Sequence, residues 1–322
     1  MTQALPQRVV ALAGGVGGAK GAEGLYHLLP PYALTVIVNT GDDFEHLGLP
    51  ISPDLDTVMY TLAGLNNPQQ GWGVVGDTFQ ALEMLGRYGA PTWFRLGDKD
   101  LATHILRRHR RDQGWPLSRI TDHLARALGI HAHLLPMTDD PVRTVVVTDE
   151  GVLPFQEYFV HRRAKPRVQA IRFQNSERAR PAPGVLAALE QAEAIVIAPS
   201  NPYLSIDPIL SIPGIRERLQ RMRARVVAIS PIVGGKALKG PAAKLMAEFG
   251  VDPSATAVAR HLLDVIGAFV LDKQDAYLKD EIAALGLRVI VEDTIMHTRT
   301  DKVRVARSAL AALGYDTDAE NA

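Results

Sequence analysis

Val9-Val10-Ala11-Leu12-Ala13-Gly14-Gly15-Val16-Gly17-Gly18-Ala19-Lys20 runs from an apolar stretch into four glycines within five positions, then into a helix-compatible segment carrying a lysine. That order predicts a short buried strand, a turn that tolerates no side chain, and a helix N-terminus. Such a turn can bring backbone N–H groups and a helix dipole against a phosphate. It matches neither common phosphate fingerprint. Gly15-Val16-Gly17 begins G-x-G-x-x-G, but Lys20 stands where the third glycine belongs, and that lysine lacks the Gly-Lys-Ser/Thr setting of a nucleoside-triphosphate loop. Two readings stand at this point: a phosphate or nucleotide cradle, and a tight strand-to-helix turn with no ligand.

Outward from this stretch, strand-like runs at 9–13, 34–38, 144–148, 194–198, 226–229, 268–271 and 287–291 alternate with helix-like patterns. The helical patterns lie near 18–29, 76–88, 100–111, 117–128, 183–191, 240–249, 254–264 and 302–313. The alternation predicts an α/β fold with a mainly parallel sheet flanked by helices. Four strands end in small or polar residues: Ala13 before the glycines, Val38 before Asn39-Thr40-Gly41-Asp42-Asp43, Ala198 before Pro199-Ser200-Asn201-Pro202, and Ile229 before Ser230-Pro231-Ile232-Val233-Gly234-Gly235-Lys236. Ligands of open α/β sheets bind beyond the strands' carboxyl ends, so these loops predict one polar cleft. Segment 136–183 reads differently, as shorter strand-like runs at 144–148, 155–160 and 168–173 without convincing helices between them. The expected organisation is a core of 1–135 and 184–322 with a small β-rich insertion at 136–183. The polar tail 316–322 is expected to fray.

Composition narrows the function classes. Apolar residues make up 47% and charged residues 22% of 322 residues, which fits a folded chain with a sizeable core. Lys plus Arg and Asp plus Glu each total 35, so no global field recruits nucleic acid or an anionic membrane. With no cysteine, disulfides, thiolate metal sites and a cysteine nucleophile are excluded. Met1 to Arg8 lacks a secretory pattern and no apolar run has spanning length, so a cytoplasmic chain is the expectation. No zinc-type histidine spacing and no G-x-S-x-G is present.

The second informative stretch is 39–56, which holds Asp42, Asp43, Glu45, His46, Asp54 and Asp56. Asp54-Leu55-Asp56-Thr57 reads as a helix start, where carboxylates meet the N-terminal dipole. Capping accounts for one or two acids, not for six acidic or imidazole groups beside a glycine loop. Carboxylates converging on a phosphate site repel the ligand unless a cation lies between them. Such oxygen ligands suit Mg²⁺, and the pattern predicts a metal-assisted phosphoryl site. A third stretch, Trp93 to His104, predicts a short strand, a glycine turn and a helix from Asp98 or Asp100. It sets Arg95 and Lys99 at a cleft edge, either as solvated charges or as a phosphate or ring-edge partner. The basic runs 107–111 and 161–167 read as solvated surface, the first complementing a helix C-terminus.

Taken together these stretches resemble the 2-phospho-L-lactate transferase family (CofD/FbiA type). The resemblance runs from about residue 9 to about 300, through the glycine stretch, Val38–Asp43, Pro53–Thr57, Leu96–His104, Leu135–Asp140, Phe155–Glu157, Ala198–Pro202 and Ser230–Gly235. It implies a Rossmann-like core, often dimeric, and an Mg²⁺-dependent step of coenzyme F420 biosynthesis. In that step a phospholactyl-type group (from 2-phospholactate, phosphoenolpyruvate or phosphoglycerate) passes from a guanosine-diphospho-activated donor to the deazaflavin FO, releasing GMP. It implies catalytic roles for Asp54, Asp56 and Arg95, with Asp56 and Arg95 at the acceptor, and metal ligands among Asp42, Asp43 and Asp54. Gly14, Gly15, Gly17, Gly18, Lys20, Asn39, Thr40, Ser200, Asn201, Ser230, Gly234 and Gly235 fall at the nucleotide by position. A non-catalytic nucleotide-binding regulator of the gluconeogenesis-factor (YvcK) type is the rival reading. The Pro53–Thr57 acidic motif together with Arg95 argues against it, and the missing third glycine argues against a nicotinamide-dependent oxidoreductase.

Overall fold

The computed structural model describes residues 4–317. The end of the polar tail, 318–322, lies outside the described residues. Seven strands form the central sheet: β1 (Val9–Ala13), β2 (Leu34–Val38), β3 (His133–Pro136), β4 (Ala194–Ile197), β5 (Val226–Ile229), β6 (Ala268–Asp272) and β7 (Arg288–Glu292). Their order is β7-β6-β5-β4-β1-β2-β3, and every neighbouring pair is parallel. The chain therefore builds outward from β1 to one side, then restarts at β4 on the other. That reversal makes a crevice between the carboxyl ends of β1 and β4, where Rossmann-like sheets take ligands.

Burial on both faces explains why β1 reads as an unbroken apolar run. Val9, Ala11 and Ala13 pack with α1 (Gly15–Leu28) and the helix Arg299–Ala312. Val10 and Leu12 face the opposite core, with Val185, Leu189 and Ile209. Part of α1's glycine content serves this packing. A Cβ on Gly24 would stand 2.1 Å from Lys302 O, and one on Gly21 2.9 Å from Pro199 Cδ. Only glycine lets the helix lie so close.

Between β2 and β3 the chain forms the hairpin Phe44–His46/Leu49–Ile51, then α2 (Pro53–Leu62), α3 (Gln80–Arg87), α4 (Asp98–Asp112) and α5 (Leu117–Ala127). α2 begins with Pro53 and buries every residue from Asp54 to Leu62. Two aspartates tie α3 to α4: Asp98 accepts from the amides of Gln80 and Ala81, and Asp77 from those of Lys99 and Asp100. A Cβ on Gly97 would fall 2.1 Å from Asp77 Oδ2, so this crossing requires glycine. In the segment after β3, Arg143–Thr148 pairs antiparallel with Gly151–Pro154 and with Val168–Gln174. No helix among the described residues is long and apolar enough to cross a membrane.

Two local expectations are corrected, and one strand was not expected. The third strand of the central sheet is His133–Pro136, while 144–148 forms a strand of the small antiparallel sheet within the β-rich segment. Segment 155–160 is not a strand. Glu157–His161 is a π-helical turn, with Tyr158 fully buried and Phe155 stacked on Phe159 one turn away. Trp93–Arg95 is loop, and its first two side chains pack on the Phe44 hairpin instead of pairing as a strand.

Candidate active site

The glycine turn closes the crevice from the β1 side. Gly14 N donates to Ser200 Oγ at 3.3 Å, and that hydroxyl donates back to Gly14 O at 3.0 Å. A Cβ would meet Asp54 Oδ2 at 2.6 Å on Gly14, Pro199 O at 2.2 Å on Gly17 and Ser200 Oγ at 2.5 Å on Gly18. These three glycines bring the β1 and β4 loops into contact. Gly15 differs: its φ is +62° and nothing lies within 4 Å of its would-be Cβ. The turn is thus both a packing device and, at Gly15, open backbone at an N-terminus without a side-chain cap.

Five residues after β2 and at the start of α2 form a buried polar group that meets the turn at Asp54. Asn39 Nδ2 donates to Asp54 Oδ2 at 2.9 Å and to Leu204 O at 3.3 Å, while its Oδ1 accepts from Gly41 N at 2.8 Å. Asp54 also accepts the Gly15 amide. Ser52 Oγ donates to Asp43 Oδ2 at 2.7 Å. Burial, with the Asp54 charge next, holds Asp42 well above the usual carboxylate range. Burial pushes Asp43 up to about 7, against the Ser52 hydrogen bond and the charges of Arg143 and Arg107. It pushes Asp54 up to about 6, against the bonds from Asn39 and Gly15.

Asp42 Oδ1, Asp43 Oδ1 and Thr40 Oγ1 are buried with no hydrogen-bond partner among the described residues. Buried carboxylate oxygens left this way ask for a cation. The donor set, all hard oxygen, fits Mg²⁺. Oxygens of one Mg²⁺ shell stand at most about 4.2 Å apart, since each lies about 2.1 Å from the ion. Asp42, Asp43 and Asp54 do not bring three oxygens that close, so one ion would take at most two of them plus substrate oxygens. The group that does converge among the described residues is Asp56, Asp100 and His104. A guanidinium already fills it.

That guanidinium is Arg107, read from sequence as a solvated C-terminal cation and in fact 2% exposed. Its Nη1 donates to Asp56 Oδ2 at 3.1 Å and to Pro50 O at 3.3 Å, and its Nη2 grips Asp56 Oδ1. Nη1 also meets His104 Nδ1 at 3.0 Å, so that ring nitrogen accepts. His104 Nε2 then faces Asp100 Oδ1 at 3.3 Å, and Tyr60 Oη donates to Asp100 Oδ1 at 2.8 Å. Asp56 is therefore held by a buried chain of polar groups linking α2 to α4. The signal for Arg107 was present: Asp100, His104 and Arg107 recur at i, i+4 and i+7, one face of a helix.

The other expected residues divide. Asn39 and Ser200 bond to Asp54 and Gly14 as described, and Thr40 is buried after β2. Asn201 accepts from the amides of Tyr203 and Leu204, while its Nδ2 has no partner among the described residues. Ser230 Oγ donates to Ile232 O at 2.8 Å, and Gly234 N donates to Asp275 Oδ2 at 3.0 Å. Gly234 and Gly235 both have positive φ, at +56° and +73°. Lys20 Nζ donates to Met296 O at 2.7 Å rather than toward the glycine turn. Arg95 is exposed, its guanidinium 4.4 Å over the Phe79 ring.

Fold and site define a Rossmann-like α/β protein with a carboxylate-lined crevice at the switch point of its sheet. Comparison with known proteins gives its family. The family model described as 2-phospho-L-lactate transferase CofD matches residues 9–311. A protein of Streptomyces griseus named phosphoenolpyruvate transferase is 45% identical over 309 residues, covering 94% of this chain and 97% of that one. One of Methanothermobacter thermautotrophicus, named 2-phospho-L-lactate transferase, is 39% identical over 305 residues, covering 95% and 98%. The crystal structure of the Bacillus halodurans protein BH3568 superposes with a TM-score of 0.63 at 17% identity, over 95% of this chain and all of that one, and shares the fold. The chain belongs to the CofD family, transferases of coenzyme F420 biosynthesis.

Proposed function

We propose that the protein transfers a phosphoenolpyruvyl or closely related phospholactyl-type group from a guanosine-diphospho-activated donor to the primary hydroxyl of the deazaflavin FO, releasing GMP. The observation that carries this reading is the set of buried, raised carboxylates Asp42, Asp43 and Asp54, of which Asp54 packs against the glycine turn at Gly14. Three such groups at a phosphate site fit phosphoryl chemistry with a divalent cation and fit no hydride transfer. Relatives named phosphoenolpyruvate transferase reach 45% identity, against 39–40% for those named 2-phospho-L-lactate transferase, which supports the enolpyruvyl group.

In the transfer the hydroxyl oxygen bonds to the phosphorus that carries the organic acid. The bridging P–O bond to GMP breaks, and the hydroxyl proton goes to a carboxylate. Mg²⁺, when bound by two of Asp42, Asp43 and Asp54, supplies charge neutralisation at the diphosphate. A carboxylate of the three that is not on the ion takes the proton, and burial raises the proton affinity of each. The open space beside Gly15 and the α1 N-terminus receive the diphosphate, and Ser200 and Asn39 hold the walls around it. Asp56, locked by Arg107, orients α2 and the acceptor side rather than moving a proton. The resemblance also supports a homodimer, which sedimentation checks.

Purified protein with Mg²⁺, FO and a guanosine-diphospho donor is expected to give GMP and a phospho-acylated deazaflavin together. Tight GDP binding with no turnover of any donor would favour the regulator.

A further inference from the structure

Phe44, His46, Trp93, Phe94 and His161 come from three separate segments and meet beside the acidic loop. Phe44 and Phe94 pack edge-to-face with centroids 4.8 Å apart, as in many apolar clusters. The other three rings are not explained that way. Trp93 and His161 stack with centroids 5.3 Å and planes 22° apart, although His161 is exposed and its Nδ1 is held by Glu157 Oε2 at 2.8 Å. His46 is 6% exposed and stands edge-on to Trp93 at 5.4 Å, yet its Nε2 has no hydrogen-bond partner among the described residues. A buried ring nitrogen without a partner is uncommon and calls for a ligand atom.

Position ties the cluster to the chemistry. Phe44 follows Asp43 directly in the chain. At the other side Gln156, which opens the π-helical turn ending in His161, donates through Nε2 to Asp42 O at 3.3 Å. The cluster is therefore joined to the Asp42–Asp43 loop from both sides, through the chain at Phe44 and through the hydrogen bond to Asp42 O. Single π-turns within a chain are frequent at functional sites.

We propose that the Trp93 face covered by His161 in this structure seats a planar fused heterocycle, the ring of the acceptor, and that His46 Nε2 bonds the ring's polar edge. His161 leaves the indole as the ring arrives and acts as a displaceable cover. The inference rests on the transferase reading for the identity of the acceptor, and adds the residues that select it.

The test is equilibrium binding of FO, followed by its quenching of tryptophan fluorescence, together with FO and donor KM in the same variants. Trp93→Ala is expected to weaken FO binding and raise its KM by roughly ten- to a hundredfold, the range for losing one ring stack. GDP affinity and donor KM stay unchanged. His46→Phe keeps the ring volume, removes Nε2 and also weakens FO, whereas His161→Ala tightens it by removing the competing ring. Unchanged FO binding in folded Trp93→Ala and His46→Phe overturns the inference, as does a His161→Ala loss as large as that of Trp93→Ala. Failure of the transferase reading shows separately, as wild-type protein that binds GDP and turns over no donor. The fluorescence titration decides the slot in that case too.

Discussion

Arg107 and Asp56 form a buried bidentate ion pair between α4 and α2, with Nη1 and Oδ2 3.1 Å apart and the two residues 2% and 5% exposed. Removing one partner strands the other charge in a low-dielectric interior, whereas removing both does not. Arg107→Met is expected to cost about 3–5 kcal/mol of stability in denaturant unfolding, and Asp56→Ala a similar amount. The double variant is expected to be more stable than the sum of the two losses allows, a positive coupling in the double-mutant cycle. Additive losses would mean the pair is not formed.

Asp56→Ala also bears on activity. The proposed function places Asp56 on the acceptor side, so the variant is expected to lose turnover while keeping GDP binding largely intact. Calorimetric titration with GDP at a temperature where the variant is folded checks this, and full turnover would remove Asp56 from the site.

The glycines separate packing from binding. Gly24→Ala drives a Cβ into Lys302 O and is expected to destabilise by about 1–3 kcal/mol without changing GDP affinity. Gly15→Ala meets no atom, so its stability loss is about 1–2 kcal/mol of left-handed strain, but it is expected to weaken GDP markedly because the methyl stands in the open crevice. Equal GDP affinity in the two variants would leave the turn with a packing role alone.

The carboxylates give a pH signature. Without metal, Asp43 and Asp54 hold protons up to about 7 and 6, whereas in the unfolded chain they lose them near 3.8. The native state then binds more protons between these values, so its stability falls as pH rises through that window. Melting in EDTA is expected at higher temperature near pH 5.5 than near pH 7.5, and Mg²⁺ is expected to raise it more at the higher pH, where protons compete less. Asp43→Asn should flatten the EDTA profile. Melting in EDTA that climbs with pH, unaltered by Asp43→Asn, would contradict the assignment.

Much of the fold was legible because central parallel strands, buried on both faces, read as continuous apolar runs. Val9–Ala13 and Leu34–Val38 are of this kind, and the loops that follow them carry the glycines and the acids. β3 was not legible as a core strand: His133–Pro136 is a four-residue edge strand that begins with an exposed histidine and ends in proline. The segment 155–160 has strand-forming residues, but its fate was decided by Tyr158 and Phe155 packing into a local core with Val146 and Leu204. Arg107 sits in a run of cations whose neighbours are surface residues, and what buries it is Asp56, fifty-one positions earlier. The aromatic cluster was hidden for the same reason, since Trp93, His46 and His161 meet only in three dimensions.

The most direct measurement is mass spectrometry of the deazaflavin after incubation with Mg²⁺ and equal concentrations of the three guanosine-diphospho donors, carrying phospholactate, phosphoenolpyruvate or phosphoglycerate. A transferase built on this crevice gives one new deazaflavin mass, the phosphoenolpyruvyl adduct foremost, with an equimolar amount of GMP. Recovery of unmodified FO with every donor, from protein that still binds GDP, would contradict it.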